Sequence, residues 1–498
     1  MAASRLPLLL DADWDGHRLV LRFAADAGLP PDRRVALDLD GTYFTDLPID
    51  ARGIAALAFP FAPAGLRRVA LLPRLTRGGP ALLRQPLTLD LATTDDGAQL
   101  LPPGADAMAP AVAVVVPVYN AADDVARCLA SVLRHTTGRA RLIVIDDAST
   151  DPAVAPLLAR YTGLAGVSVL HNPDNRGITA TPNRGIEAAE GADVVLLNAD
   201  TEVGPHWLTG LRRAIAARPD IASATAVSDN AGAFSVPELE CENALPAAWS
   251  FEQSARALWQ GAGLAYPMLP TGNGFCLYLR RTALDAVGLL DAQAFPQGYG
   301  EENDWCQRAA AAGWQHAVAG NVLVRHARSR SFGHARRIAL GQAGMAVLRA
   351  RWPRYEDEVG TTLFSYPRRV LDWRVRRLFA AATAANAPRP RVLGLAGAAM
   401  TDADAEAWHI EPVAADGWRL LRSDAGGGRT AVAESTGPVA DLLWDWLQRH
   451  AIERLAAAGA PAALAEAART AGARLGIDWS DEGRIADNPR SFGDPPHA

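Results

Sequence analysis

Between Ala111 and Asn198 the chain four times lays down a short apolar run and stops it at a polar cluster. The runs are AVAVVVPVYN (111–120), RLIVID (141–146), SVLH (168–171) and DVVLLN (193–198). β-Branched and leucine residues in unbroken succession read as strands buried on both faces, the habit of parallel sheets. Helical stretches lie between them: DDVARCLASVLRHT, a second over roughly 153–161 and a third from about Pro182 to Ala189. Asp123 or Asp124 can cap the first. This alternation confines the region to a doubly wound, mostly parallel α/β sheet, which binds ligands at the carboxyl ends of its strands. The polar clusters fall at those ends. No GxGxxG follows the first strand, which argues against a dinucleotide fold.

The flanks differ. Residues 1–108 carry short alternating runs such as RLVLRF, RVALDLDG and RRVALLPRL between Gly, Pro and Asp-Gly turns, the pattern of a small β-sandwich-like accessory domain. The stretch PPGADAMAP (102–110) reads as a linker into a catalytic domain over 109–345. A helical linker over 346–388 holds the arginine-rich segment RRVLDWRVRRLF, which reads as a solvated helix face or as a contact for anionic lipid headgroups. Residues 389–485 read as a partial Rossmann-like domain and 486–498 as a disordered tail.

Length and charge set further bounds. The 498 residues suggest roughly three domains. A net charge of -6, with all 49 basic residues arginine, gives no field that would recruit nucleic acid. The four cysteines show no CxxC spacing, which argues against zinc or a disulfide framework and for a reducing cytoplasm. The opening MAASRLPLLLDADWDG has too short an apolar run for a signal peptide, and no run approaches a membrane span. A cytoplasmic protein is expected, meeting any lipid-linked substrate peripherally at the inner face of the cell membrane.

Five motifs in order, VVVPVYN, LIVIDDASTD, NRGITATPNRGIEAAEGADVVLLNADTEV, TGNGFCLYLRR and GYGEENDWCQRAAAAGW, resemble glycosyltransferase family 2 over about residues 111–335. Each is weak alone; together at this spacing they are specific. The resemblance implies a type A glycosyltransferase fold. It also implies inverting, metal-dependent transfer of a sugar from a nucleotide-diphosphate sugar to a hydroxyl of a bacterial surface glycan. O-antigen, capsule or cell-wall polysaccharide would be the product, with a rhamnosyl donor among the candidates. The acceptor would be a glycan or lipid-linked glycan.

Residue by residue, the resemblance places Pro117, Tyr119 and Asn120 in a loop at the first strand end. Tyr119 would lie by the nucleotide base, where an aromatic face stacks on a flat heterocycle; a core tyrosine is the rival reading. Asp147 would accept a hydrogen bond from the base, with Asp146 ordering the loop. Arg176 could neutralise phosphate through its fork of donors, or serve structure, as could Asn172, Asn183 and Arg184. Asp200 matches the last acid of the family's DxD motif and is the first choice of metal ligand; Asn198 stands where the family has its first Asp. A strand-to-helix turn is the plainer reading of both. The metal would be Mn²⁺ or Mg²⁺, acting as a Lewis acid on the departing nucleoside diphosphate. His326 matches a third metal ligand, with Arg328, Arg330 and His334 able to meet phosphate on loop closure.

Glu302 matches the family's catalytic carboxylate, the general base for the acceptor hydroxyl; Glu301 and Asp304 would bind acceptor or orient the loop. Ordinary helix-start chemistry is the alternative for all three. Gly274, in the acceptor-side strand, would let backbone approach the sugar. The stretch LLWDWLQRHAIERLAAAGAPAALAEAARTAGARLGID resembles the amino-terminal Rossmann half of glycosyltransferase family 4, but Ala456 to Ala458 replace its His-containing stretch. That region is expected to be catalytically silent and to serve docking or homo-oligomerisation. A non-catalytic nucleotide-sugar or glycan binding scaffold is the alternative for the whole chain. The joint presence of Asp147, Asp200 and Glu302 argues against it.

Overall fold

The computed structural model describes residues 9–24, 32–136, 139–327, 334–395, 404–413, 417–424 and 427–480, with backbone alone over 334–339. The amino-terminal part is all β. Strands β1 (Leu9–Trp14), β2 (Arg18–Phe23), β3 (Arg34–Leu39), β4 (Thr42–Pro48), β5 (Ile54–Ala58), β6 (Arg68–Arg74) and β7 (Leu87–Asp90) form two antiparallel sheets, ordered β1-β2-β5 and β4-β3-β6-β7. Their alternating Leu19, Leu21, Val35, Leu37, Val69 and Leu71 share one core, as period-two patterning requires.

The central sheet is built from β8 (Val112–Val118), β9 (Ala140–Asp146), β10 (Val167–His171), β11 (Asp193–Leu197), β12 (Thr201–Val203), β13 (Ile221–Ser228), β14 (Cys276–Leu279) and β15 (Gln315–His326). Their order is β10-β9-β8-β11-β14-β13-β15-β12. Pairing is parallel from β10 to β11 and between β13 and β15, and antiparallel elsewhere. Helices α1 (Ala122–His135), α2 (Val154–Ala159), α3 (Gly177–Ala188), α4 (Trp207–Ala216), α5 (Phe251–Gly261), α6 (Arg281–Val287) and α7 (Glu301–Ala311) accompany it. Along β8 the even-numbered valines share a core with Val125, Leu129 and Val132 of α1, while Ala113 and Val115 share another with Ile186 of α3. Both faces are therefore covered, and an unbroken apolar run is what such a strand needs.

Helix α3 begins at Gly177, not near Pro182 as the sequence reading has it. Pro182 sits inside the helix, where its missing N–H forfeits only the bond to the Ile178 carbonyl in the first turn. The start is fixed from elsewhere: the Asp147 carboxylate accepts the N–H groups of Arg176 and Gly177.

Beyond the sheet come α8 (His334–Arg351), α9 (Tyr355–Leu363) and α10 (Tyr366–Ala380). The arginine-rich α10 is neither a solvated face nor a membrane contact. Val370 and Trp373 belong to the amino-terminal core, Leu371 and Val375 to the central one. Arg368 is fully buried, donating to the carbonyls of Ala233 and Ser235 at 2.6 Å and to Asp372 at 3.0 Å. Arg376 pairs with Glu238 at 2.8 Å. Its cations are drawn inward by backbone acceptors on other elements.

The last unit contains β16 (Arg391–Leu395), β17 (Glu406–Val413), β18 (Gly417–Ser423), β19 (Arg429–Thr436), α11 (Val439–Arg449), β20 (Arg454–Ala456), α12 (Ala462–Leu475) and β21 (Asp478–Ser480). The sheet order is β19-β18-β17-β16-β20-β21. It is parallel from β17 to β21 but antiparallel through β17, β18 and β19, so the layout is mixed rather than purely Rossmann-like. The stretch 102–110 is packed: Ala107 joins this core together with Leu101, whose carbonyl accepts the Trp444 indole N–H at 2.7 Å. Among the described residues no helix is long and apolar enough to cross a membrane.

Candidate active site

The polar cluster after β11 and the end of β15 meet because short β12 pairs with β15, bringing Thr201 opposite His326. Asp200 Oδ1 and His326 Nε2 lie 3.4 Å apart, with side chains 17% and 11% exposed. The other ring nitrogen, Nδ1, faces the Asn230 carbonyl at 3.0 Å. A carbonyl only accepts, so Nδ1 carries the proton, and in the neutral ring Nε2 presents its lone pair beside Asp200. The His326 backbone N–H donates to Asp229 Oδ1 at 3.0 Å, and the ring stacks on Phe275 with centroids 5.3 Å apart. Among the described residues no cluster of three or more His, Cys, Asp or Glu could hold a metal. A carboxylate and an oriented imidazole do suit Mn²⁺ or a similar ion that takes its remaining ligands from phosphate and water.

A pair of carboxyls opens α7. Glu302 is half-buried beside Gly274, and its Oε2 is buried without a hydrogen-bond partner. Burial raises its pKa, against the lowering influence first of its own backbone and then of Glu301 and Gly274. Glu301 accepts the Gly300 N–H at 3.0 Å; burial and then the Glu302 charge push its pKa well above the usual carboxylate range. Asn303 fixes the helix start by donating to Thr271 Oγ1 at 2.6 Å, which in turn lies 3.2 Å from the Tyr355 hydroxyl.

The 271–275 stretch joins these corners: Thr271 Oγ1 and the Gly272 carbonyl accept from Asn303 of α7 at 2.6 and 3.3 Å, while Phe275 stacks on His326 and accepts the Asn198 N–H through its carbonyl at 3.0 Å. A Cβ placed on Gly274 would meet nothing within 4 Å, so the glycine borders open space rather than a packed neighbour. Gly272 differs: a Cβ there would come within 2.7 Å of Leu277.

On the other side, Tyr119 is 40% exposed after β8, which disposes of the core-tyrosine reading. Pro117 lies within β8. Asn120 is committed to structure: its Oδ1 accepts the N–H groups of Thr150 and Asp151 at 2.8 and 2.9 Å. Asp147 is 4% exposed, and its carboxylate accepts from Asn172 at 2.6 Å, Arg176 N–H at 2.8 Å and Gly177 N–H at 2.9 Å. Asp147 thus caps α3, with two donors on Oδ1 and one on Oδ2. The Arg176 side chain is exposed at that cap. Thr179 Oγ1 donates to the Phe295 carbonyl at 2.5 Å, which ties α3 to the loop leading into α7.

Asp304 points inward from the same turn of α7. It is fully buried, accepting from Arg308 at 2.9 Å, Arg351 at 3.1 Å and the Trp352 indole at 3.0 Å. It anchors α8 to α7 and faces no acceptor. Arg328 and Arg330 lie outside the described residues, as does the side chain of His334. The sequence reading missed Asn230 and Phe275. Ser228-Asp229-Asn230 is one more apolar strand stopped by polar residues, the same signal that singled out Asn198 and Asp200.

Residues 113–286 match the family model described as Glycosyl transferase family 2, inside the 111–335 span of the sequence resemblance. The uncharacterized glycosyltransferase YibD of Escherichia coli is 38% identical over 96 residues, 19% of this chain and 27% of that protein. The succinoglycan biosynthesis protein ExoO of Rhizobium meliloti is 33% identical over 129 residues, 26% of this chain and 35% of that protein. The chain thus spans about a third of the length of the curated relatives it matches. Among solved structures, the mannosyltransferase PcManGT of Pyrobaculum calidifontis, in complex with GDP-Man and Mn²⁺, aligns with 57% of this chain and 78% of its own, at a TM-score of 0.38 and 19% identity.

Proposed function

We propose that this chain is an inverting glycosyltransferase that moves a sugar from a nucleoside diphosphate to a hydroxyl of a polysaccharide. The observation that supports the reading is that the 271–275 stretch touches the first turn of α7 through Asn303 and stacks Phe275 on the His326 ring, with open space at Gly274. Glu302 takes the proton of the attacking hydroxyl. Burial raises its pKa, which makes it a stronger base than an exposed carboxylate. A single displacement inverts the anomeric centre and needs one base rather than a nucleophile with an acid. Asp200 and His326 would hold a divalent cation, which when bound neutralises charge building on the departing diphosphate. Tyr119 supplies an exposed aromatic face for the base, and Arg176 a cation at the same rim. The match to a succinoglycan biosynthesis protein supports a polysaccharide acceptor.

The test is nucleoside diphosphate release from UDP-, GDP- and dTDP-sugars with a glycan mixture, in Mn²⁺, Mg²⁺ or EDTA. We expect metal-dependent turnover of one donor, reduced about 10²- to 10⁴-fold in Glu302→Gln with donor binding kept. Full turnover in Glu302→Gln would overturn the assignment of the base. Metal-independent binding with no turnover by the unaltered chain would favour a scaffold.

A further inference from the structure

A cavity of about 670 Å³ opens where the amino-terminal sandwich, α5, α10 and the β17–β18–β19 face of the last sheet come together. It shares no residue with the candidate active site. Its wall is cationic: Arg374, Arg377, Arg391 and Arg422 contribute to it, against the carboxylates of Glu406 and Asp424.

Two of the cations are partly paired, Arg374 with the Asp96 carbonyl at 3.4 Å and Arg391 with the His450 carbonyl at 2.9 Å, but donors remain. Arg374 is 5% exposed; its Nη1 donates to the Ala262 carbonyl at 3.1 Å, but its Nε–H is buried with no partner. Arg391 lies beside Glu406 at 3.4 Å, and burial lowers its pKa, with Arg422 adding repulsion. Arg422 is exposed and makes no ion pair among the described residues. Guanidinium groups gathered and partly desolvated in this way favour an anion, and their planar forks match phosphate oxygens.

The wall is not uniformly basic, and this narrows the ligand. Glu406 Oε1 is also buried without a partner. A carboxylate repels bare phosphate but accepts from a hydroxyl, so the fitting anion carries hydroxyl groups beside its phosphate. Trp249, its indole N–H tied to the Thr383 carbonyl at 2.9 Å, adds an aromatic surface of the kind that packs on a ring. The volume lies within the roughly 300–1,000 Å³ of small-molecule sites and exceeds what one phosphate needs.

We propose that this cavity binds a phosphorylated sugar, either the ribose phosphate of a nucleotide or a hexose phosphate. The inference does not depend on the function proposed above.

Calorimetry on the full chain in EDTA tests it, with UDP, glucose 1-phosphate and inorganic pyrophosphate as probes. The proteins are the unaltered chain, Arg422→Glu, Thr430→Trp and Asp200→Asn. Both cavity substitutions fall at exposed strand positions, so folding should survive, as circular dichroism would verify. UDP or glucose 1-phosphate should bind the unaltered chain and Asp200→Asn alike, and about tenfold or more weaker in Arg422→Glu and Thr430→Trp. Pyrophosphate should bind less tightly than the better sugar phosphate. Three results would overturn the proposal: no sugar phosphate bound at millimolar concentration, binding lost in Asp200→Asn but kept in the cavity variants, or pyrophosphate binding most tightly.

Discussion

Glu453 is the buried charge through which the last unit is docked, and its removal should be measurable in one place. It is 3% exposed, and its carboxylate accepts from His206 at 2.7 Å, Gln260 at 2.8 Å and Arg256 at 3.1 Å. Burial alone would raise its pKa, yet the attraction of His206 and Arg256 outweighs burial and holds it at about 2, below the ordinary 4.5. At about 1.36 kcal/mol for each tenfold in proton affinity, that difference is worth about 3 kcal/mol. Because the folded value is the lower one, the unfolded chain binds more protons in between. The contribution is complete above pH 4.5 and drains away as pH falls through about 2. Glu453→Gln removes it at every pH and leaves Arg256 facing a neutral amide, a change of the same order as the roughly 3–5 kcal/mol for breaking a buried pair. Hydrogen exchange resolves where the loss falls. In Glu453→Gln at neutral pH, amides of α11 and α12 should exchange on the order of a hundredfold faster, with β8 much less affected. Exchange within about threefold of the unaltered chain in both helices, or an equal change in β8, would refute the reasoning.

Three further substitutions separate packing from chemistry. Gly185→Ala places a Cβ 2.2 Å from Val115 Cγ1 and should cost about 1–3 kcal/mol in denaturant unfolding. Gly274→Ala meets no neighbour, so stability should move by less than about 0.5 kcal/mol while kcat/KM falls, if sugar occupies that space. Glu301→Leu removes a neighbour that lowers the Glu302 pKa, so the acidic limb of the pH–rate profile should move to higher pH; Glu301→Gln, which keeps a polar donor there, should move it less.

The strands were legible wherever apolar residues ran without interruption. DVVLLN gives β11 as Asp193–Leu197, and alternation in the first hundred residues gives two packed antiparallel sheets. What failed was anything decided by partners distant in sequence. The start of α3 is set by a carboxylate on the loop after β9, and no local signal reports it. Helix α10 reads as a basic surface because its acceptors, the carbonyls of Ala233, Ser235 and Ala262, lie more than a hundred residues away.

The same division runs through the candidate site. A polar residue at the carboxyl end of a parallel strand is legible as a position, because sheet topology alone brings those ends together. Whether its polar atoms remain available to a ligand is not legible, since that depends on which other elements have already claimed them. Asp147, Asn120 and Asp304 are claimed: the first caps α3, the second clamps residues 149–151, the third takes Arg308, Arg351 and Trp352. Glu302 keeps a buried oxygen without a partner, and His326 has its tautomer fixed from behind by Asn230 so that Nε2 faces Asp200. Residue type could not distinguish these groups, for Asp304 and Glu302 are both acids in the first turn of α7. Helical geometry does: two residues apart is about 200° around the axis, so with Glu302 beside Gly274, Asp304 is carried toward α8.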